Sequence, residues 1–406
     1  MAAPSLALIP SAYKVGKVAS VKPINGKGDF TFTRNSEATR INENGIIETM
    51  GVDVPRIDHT DGGCPSLLLE PASTNLITYS EDFSNASWAK GSAGIASTPI
   101  ITSNYQTSPT GNQDADRIQA SLNGGIVIGD RSYIQFTNIG VSNTSNSVYL
   151  KSNTGVNQTI YLRVSSIVTA IVVTTEWVRY PVIASGSTDY FQIGIRGADY
   201  GGLTSTDTID LGIWGAQREQ LPYATSYIPT SGTAVTRAAE VCNGAGDAST
   251  FNSAEGVLFI ESSLLIDDDS NKYISLTDTA DENKVQIDFD YSSSRIQYVV
   301  ISDSVVYCNI KLTYVGTNTD KIAVKWKVND FAIWINGVEV GTDTSGSAPI
   351  SLDTLKFSSS SGGNNFEGNV KQLQVFKTAL TDAELIALTS WSSFTEMATA
   401  LKYSIQ

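Results

Sequence analysis

Apolar and polar residues alternate with a period of two along most of this chain. SVYLKSN, TIYLRVS, AIVVTTEWVRYPVI, YFQIGIRG and DTIDLGIWGA each send every second side chain to the same side, which is the signature of half-buried β-strands. SNTG, SGST and ADYGG bound these runs, and Gly, Ser, Asn and Asp are the residues that turns require. The spacing predicts a β-sandwich over residues 74–240, ending in TSYIPTSGTAVTR. CNGAGDAST follows, and its small residues mark residues 241–250 as a linker.

A second sandwich is predicted over residues 251–390. In KIAVKWKVNDFAIWINGVEVG, Ile322, Val324, Trp326 and Val328 share one face and Lys321, Lys325 and Lys327 the other. Asn329-Asp330 turns the chain, Phe331, Ile333 and Ile335 form the next inward face, and Asn336-Gly337 is a type I′ hairpin signal. Helical signals come only at the end. Thr381 to Glu384 and Ser393 to Glu396 have capping-box spacing ahead of LIAL and MATAL, so residues 391–406 are expected to be a short helix and tail. The predicted fold class is all-β: two β-sandwich (jelly-roll) domains after an extended N-terminal segment, with short C-terminal helices.

That N-terminal segment, residues 1–73, is the part that the pattern leaves unexplained. FTFTRNSEATRINENGIIE starts with clean alternation and dissolves into Arg, Asn, Ser and Glu. A ribbon this polar has little apolar surface of its own to bury, so it is expected to be extended and poorly packed alone. PSLALIPSAY has only a brief apolar run with no basic leader, too short for an export signal or a membrane span.

Composition narrows the functions. The 406 residues are 41% hydrophobic but only 17% charged, with 33 glycines, a mix suited to short strands and many turns. The formal net charge is −14. Nucleic acid and anionic membranes both demand positive charge, so binding to nucleic acid and membrane insertion are excluded as expectations.

Chemistry-bearing motifs are sparse. Cys64, Cys242 and Cys308 lie far apart, without metal-ligand or disulfide spacing, and read as small buried hydrophobes in a chain folded in a reducing cytoplasm. The lone histidine, His59, sits in a turn-like RIDHTDGGC with no nucleophile motif around it. Among 41 acidic residues a carboxylate pair is always available, so such a pair points to nothing. Asp267-Asp268-Asp269 reads as a solvated loop tip, with weak calcium binding as the sharper alternative. No catalytic residue emerges, and the chain is expected not to be an enzyme. The 17 tyrosines and 6 tryptophans suggest sugar stacking instead. Trp177 and Trp326 are in phase with aliphatic neighbours and are expected in the core. Trp334 is out of phase with Ile333 and Ile335, and Trp88 sits in a loop-like SNASWAKGS; these two are the candidate carbohydrate-binding residues.

FTFTRNSEATRINENGIIE, VPRIDHTDGGCPSLLLEPASTNLITYSEDFSNASW and the later GAQREQLPYATSYIPTSGTAVTRAAE resemble a cassette of tailed-bacteriophage virion proteins, including fibers and spikes. NLITYSEDFSNASW…VYLKS…TTEWVRYPV…DTIDLGIWGAQ is similar to a carbohydrate-binding-module jelly roll. FEGNVKQLQVFKTALTDAEL resembles the end of a laminin-G or concanavalin-like sandwich. The resemblance implies a virion appendage, made in the bacterial host cytoplasm, whose residues 1–73 attach to other virion proteins of capsid or tail. It also implies a homotrimer and contact with host-surface or environmental glycans. It requires no cofactor, but implies a structural calcium held by Asp82 and Asp210, with Glu81 as the alternative to Asp82. A ligand-free head fiber or decoration protein is the second reading and a polysaccharide depolymerase the third.

Overall fold

The computed structural model describes residues 1–197, 205–266, 270–290 and 294–391. The Asp267-Asp268-Asp269 run and the helix expected from Ser393 lie outside these residues. As expected, the chain is all-β; the described residues hold a single α-helix, Asp382–Ser390. That helix is not long and apolar enough to cross a membrane.

The chain forms two compact units, and neither is continuous in sequence. The first comprises Met1–Glu37, Met50–Pro71 and Ala239–Gln406; the second comprises Ala38–Thr49 and Ala72–Ala238.

The first unit is a sandwich of two antiparallel sheets. In one, Glu255–Leu264 lies between Asp320–Lys327 and Gly368–Phe376, and the latter also pairs with Leu6–Leu8 and Ser66–Leu69. In the other, Phe30–Thr33 pairs with Val241–Ala245, which continues into Thr354–Lys356, Lys272–Thr277 and Lys284–Asp290. Side chains of both sheets fill one core, among them Leu8, Phe32, Leu69, Leu258, Ile274 and Trp326.

Two sequence expectations fail here. Residues 1–73 are not a loose leader. Leu6, Leu8, Phe30, Phe32 and Leu67 are fully buried in that core. Nor are residues 241–250 a linker, since Val241–Ala245 is an interior strand of the second sheet. Its glycines serve that strand: Gly244 and Gly246 have φ of 81° and 87°, and a β-carbon on Gly246 would meet the Phe251 ring at 2.1 Å.

Three polar residues of the leader, Arg34, Arg56 and Glu70, meet Glu240 inside the unit. Glu240 accepts from Arg34 Nη1 (2.8 Å), from Arg56 Nε (2.8 Å) and Nη2 (2.5 Å), and from the Glu70 amide (2.9 Å). Arg56 Nη1 also pairs with Glu70 at 2.8 Å, and all four residues are buried. Two guanidiniums and two carboxylates cancel in charge, which lets them stay ionised away from water. Segments up to 206 residues apart close this cluster.

The second unit carries an eight-stranded antiparallel sheet, order Ile100–Gln106, Ala115–Ser121, Thr208–Glu219, Arg131–Ser152, Val178–Arg196, Gln158–Val164, Ile167–Val173, with Trp88–Ala93 also paired to Arg131–Ser152. Arg131–Ser152 and Val178–Arg196 run together for most of their length, with register shifts near residues 137–144. Ile118, Ile134, Leu150, Leu162, Ile193 and Leu211 belong to its core. Asn75, from the STNL motif, uses its whole amide there: Nδ2 donates to the Ala216 and Ile228 carbonyls, and Oδ1 accepts from the Ile77 and Arg218 amides.

Candidate functional site

Within the second unit, one half of the sheet has two chemically different faces. Ile134, Phe136, Leu162, Phe191, Ile193 and Ile195 point into the core. The alternate positions carry Arg131, Tyr133 and Gln135 on the first strand, Tyr190, Gln192, Gly194 and Arg196 on the second, and Tyr161 and Arg163 on the third. Register brings them together. Arg131 is opposite Arg196, Tyr133 and Tyr161 flank Gly194 from either side, and Gln192 is opposite both Gln135 and Arg163.

Glycines make room for this face. A β-carbon on Gly194 would approach the Tyr133 β-carbon to 2.7 Å, and one on Gly91 would meet the Tyr133 ring at 2.6 Å. Neighbouring groups hold the polar side chains in place. The Ser165 carbonyl accepts from Arg163 Nε at 2.7 Å and from the Tyr190 hydroxyl at 2.9 Å, and the Arg163 guanidinium lies 5.3 Å from the Tyr190 ring centre. The Arg131 guanidinium is 5.7 Å from the Tyr133 ring centre, and Gln192 Nε2 donates to Gln135 Oε1 at 2.5 Å.

Arg131, Arg163 and Arg196 line a cleft of about 640 Å³ with Gly94, Asp130 and Val168. Asp130 belongs to its rim. Its Oδ1 accepts from the Ile95 amide and its Oδ2 from the Val127 amide, and these bonds hold its pKa below the usual carboxylate range. The same bonds fold the GGIVIGD loop, so Ile126, Val127 and Ile128 stand exposed beside the cleft. Burial pushes the Tyr161 hydroxyl upward in pKa against the pull of the three arginines. Desolvation lowers Arg196, with Arg163 and Arg131 adding repulsion. Neither Arg131 nor Arg163 is paired with a carboxylate among the described residues, and Arg131 Nε is buried without a hydrogen-bond partner.

The sequence-predicted sugar-stacking residues are elsewhere and cannot act. Trp88 is 0% exposed, packed between Phe83 and Phe136 at 4.9 and 5.6 Å, with its indole N–H on the Tyr79 carbonyl. Trp334 does point away from Ile333 and Ile335. However, that face is covered: the ring is 4% exposed, in a cluster with Leu380, Leu385 and Leu388 at the C-terminal helix. A sugar needs an open ring face, and neither tryptophan offers one. Trp326 is in the core as expected, whereas Trp177 is half-buried and donates to the Thr107 carbonyl.

The predicted calcium ligands do not converge. Asp82 caps its own turn, accepting from Ser84 N, Ser84 Oγ and Asn85 N. Asp210 is held by Arg117 through two bonds and by Asn153. The carboxylate beside Asp82 is Asp116, which takes the Phe83 and Asn104 amides and has its pKa raised chiefly by burial. Asp116 and Gln119, the cross-strand partner of Asp210, are three apart and so lie on opposite faces of their strand. Glu81, the alternative ligand, accepts from the buried Tyr227 hydroxyl at 2.8 Å. No group of three or more His, Cys, Asp or Glu side chains suited to a metal occurs among the described residues. Cys242 and Cys308 are buried as expected, but Cys64 is exposed.

The tryptophan pattern does not point to the arginine–tyrosine face. Its signal was present in RSYIQ, YLR and YFQIGIR, where Arg, Tyr and Gln share the phase opposite the aliphatic residues.

No family model matches the chain, and no curated protein matches it. Among solved structures it is similar to the CBM40 of a Ruminococcus gnavus IT-sialidase bound to α2,3-sialyllactose, at 16% identity, over 36% of this chain and 93% of that one, TM-score 0.30. It is also similar to a Trypanosoma rangeli sialidase in complex with sialic acid, at 9% identity, over 70% of this chain and 55% of that one, TM-score 0.29. A native glycosidic hydrolase matches at 10% identity, over 42% of this chain and 68% of that one, TM-score 0.22. With enzymes among these structures, the expectation of a chain without catalytic activity is withdrawn.

Proposed function

We propose that this chain is a carbohydrate-binding virion component of a tailed bacteriophage, and that the arginine–tyrosine face of its second unit is where it meets a glycan. The observation that carries the glycan reading is the composition of that face. Tyr133 and Tyr190, both half-buried, supply rings, while Gln135 and the arginines supply polar groups for hydroxyls, all on one sheet surface beside a cleft. Aromatic faces with a few fixed polar groups suit the apolar faces and hydroxyl edges of sugar rings. The virion reading rests on the cassette resemblance. Because the cassette residues Arg34, Arg56, Glu70 and Glu240 are buried, attachment to capsid or tail proteins would use folded surface rather than a free leader. A homotrimer multiplies weak single sites into useful avidity.

A glycan array probed with the intact chain tests the first part, with binding expected to fall on Tyr133→Ala. Silence across a broad array removes the glycan reading. Immunogold labelling of intact particles tests the second: unlabelled particles, with the chain found only in lysate, remove the virion reading.

A further inference from the structure

Resting on that glycan reading, we propose that the ligand is an acidic saccharide, held by its carboxylate between Arg131 and Arg163 in the cleft. In a chain of net charge −14, with 27 Lys and Arg among 406 residues, three arginines line one cleft. Arg131 and Arg196 are direct cross-strand partners, which concentrates positive charge at one end of the cleft. Among the described residues, the one carboxylate lining the cleft, Asp130, spends its oxygens on the Ile95 and Val127 amides. Arg163 is braced through Nε on the Ser165 carbonyl, which fixes the plane of its guanidinium and leaves the terminal nitrogens for a ligand. Arg131 lies over Tyr133 with a buried, unpartnered Nε. A planar carboxylate matches the guanidinium fork with two parallel bonds. The sugar ring carrying it would then lie toward the half-buried Tyr133, with the exposed Ile126–Ile128 stretch as an apolar lip. A neutral saccharide would desolvate the arginines without compensation.

Calorimetric titration of the intact chain with 3′-sialyllactose, tetragalacturonate, their methyl esters, lactose and 3′-sulfolactose decides the matter. At least one of the two carboxylate sugars should bind. Its methyl ester and lactose should bind about 10- to 100-fold more weakly, the loss expected for charged hydrogen bonds. Arg131→Gln and Arg163→Gln should each weaken the acidic sugar by about 10-fold or more at unchanged melting temperature, with Arg163→Lys in between because it keeps the charge and loses the fork. Raising salt should weaken binding. If lactose binds as well as the acids and ignores both glutamine variants, the ligand class is wrong while glycan binding stands. Binding of 3′-sulfolactose alone overturns the carboxylate. If no saccharide on the array or in the titration binds, this inference and the glycan reading fall together.

Discussion

Replacing Glu240 with alanine removes the only group that four buried donors share: Arg34 Nη1, Arg56 Nε and Nη2, and the Glu70 amide. Both arginines are 0–1% exposed, so water cannot take over. Arg56 would keep its pair with Glu70, while Arg34 would lose its carboxylate and keep backbone carbonyls such as those of Val54 and Gly51. Breaking a buried ion pair by deleting one partner costs about 3–5 kcal/mol, and the stranded amide adds about 1–3 kcal/mol. The expected loss is about 4–8 kcal/mol, a large part of the roughly 5–15 kcal/mol that holds a domain folded. Urea titration gives the total, and amide hydrogen exchange gives its location. Protection should collapse in Phe30–Thr33 and Val241–Ala245, the strands next to Arg34 and Glu240. Replacing Arg56 and Glu240 together by methionine should cost less than Glu240→Met alone, because the partner charge leaves as well. A loss under about 1 kcal/mol, or a double replacement worse than the sum of the singles, would refute the view that this cluster is a mutually neutralised structural element.

Other expectations follow from the same coordinates. Trp334→Ala should destabilise the chain by about 3–5 kcal/mol and leave glycan binding unaltered; a mutant as stable as the parent would mean that the helix Asp382–Ser390 does not seal that ring. Arg218→Met should be neutral or stabilising by about 1 kcal/mol, since Arg218 is buried with Nε and Nη1 unpartnered among the described residues and its pKa depressed to about 10 by burial; a large loss in a thermal melt would show a missed partner. A thiol reagent at pH 8 should modify Cys64 alone. Burial raises the Cys242 thiol and pushes Cys308 up to about 12, so their thiolates form only at pH values well above the assay; mass spectrometry finding either one labelled before urea is added would contradict the packing.

Local pattern was enough to determine the strands, many turns and the first C-terminal helix. Alternation sets which side chains share a face, and it placed Trp326 inward and Trp334 opposite Ile333. Asn336-Gly337 does turn with φ of 49° and 85°, because these residues tolerate positive φ whatever surrounds them. Thr381 and Glu384 close the expected capping box, again a contact made within one turn. Only tertiary structure decided which faces are covered. A helix starting nearly fifty residues after Trp334 buries it, and register between three strands gathers Arg131, Arg163 and Arg196. The leader showed this most sharply. Its charges look solvent-bound in sequence, yet Arg34 finds Glu240 across 206 residues. A strand's sequence states its two faces but not its partners; a charge can therefore be judged exposed, paired or poised for a ligand only when the opposing segments are in place.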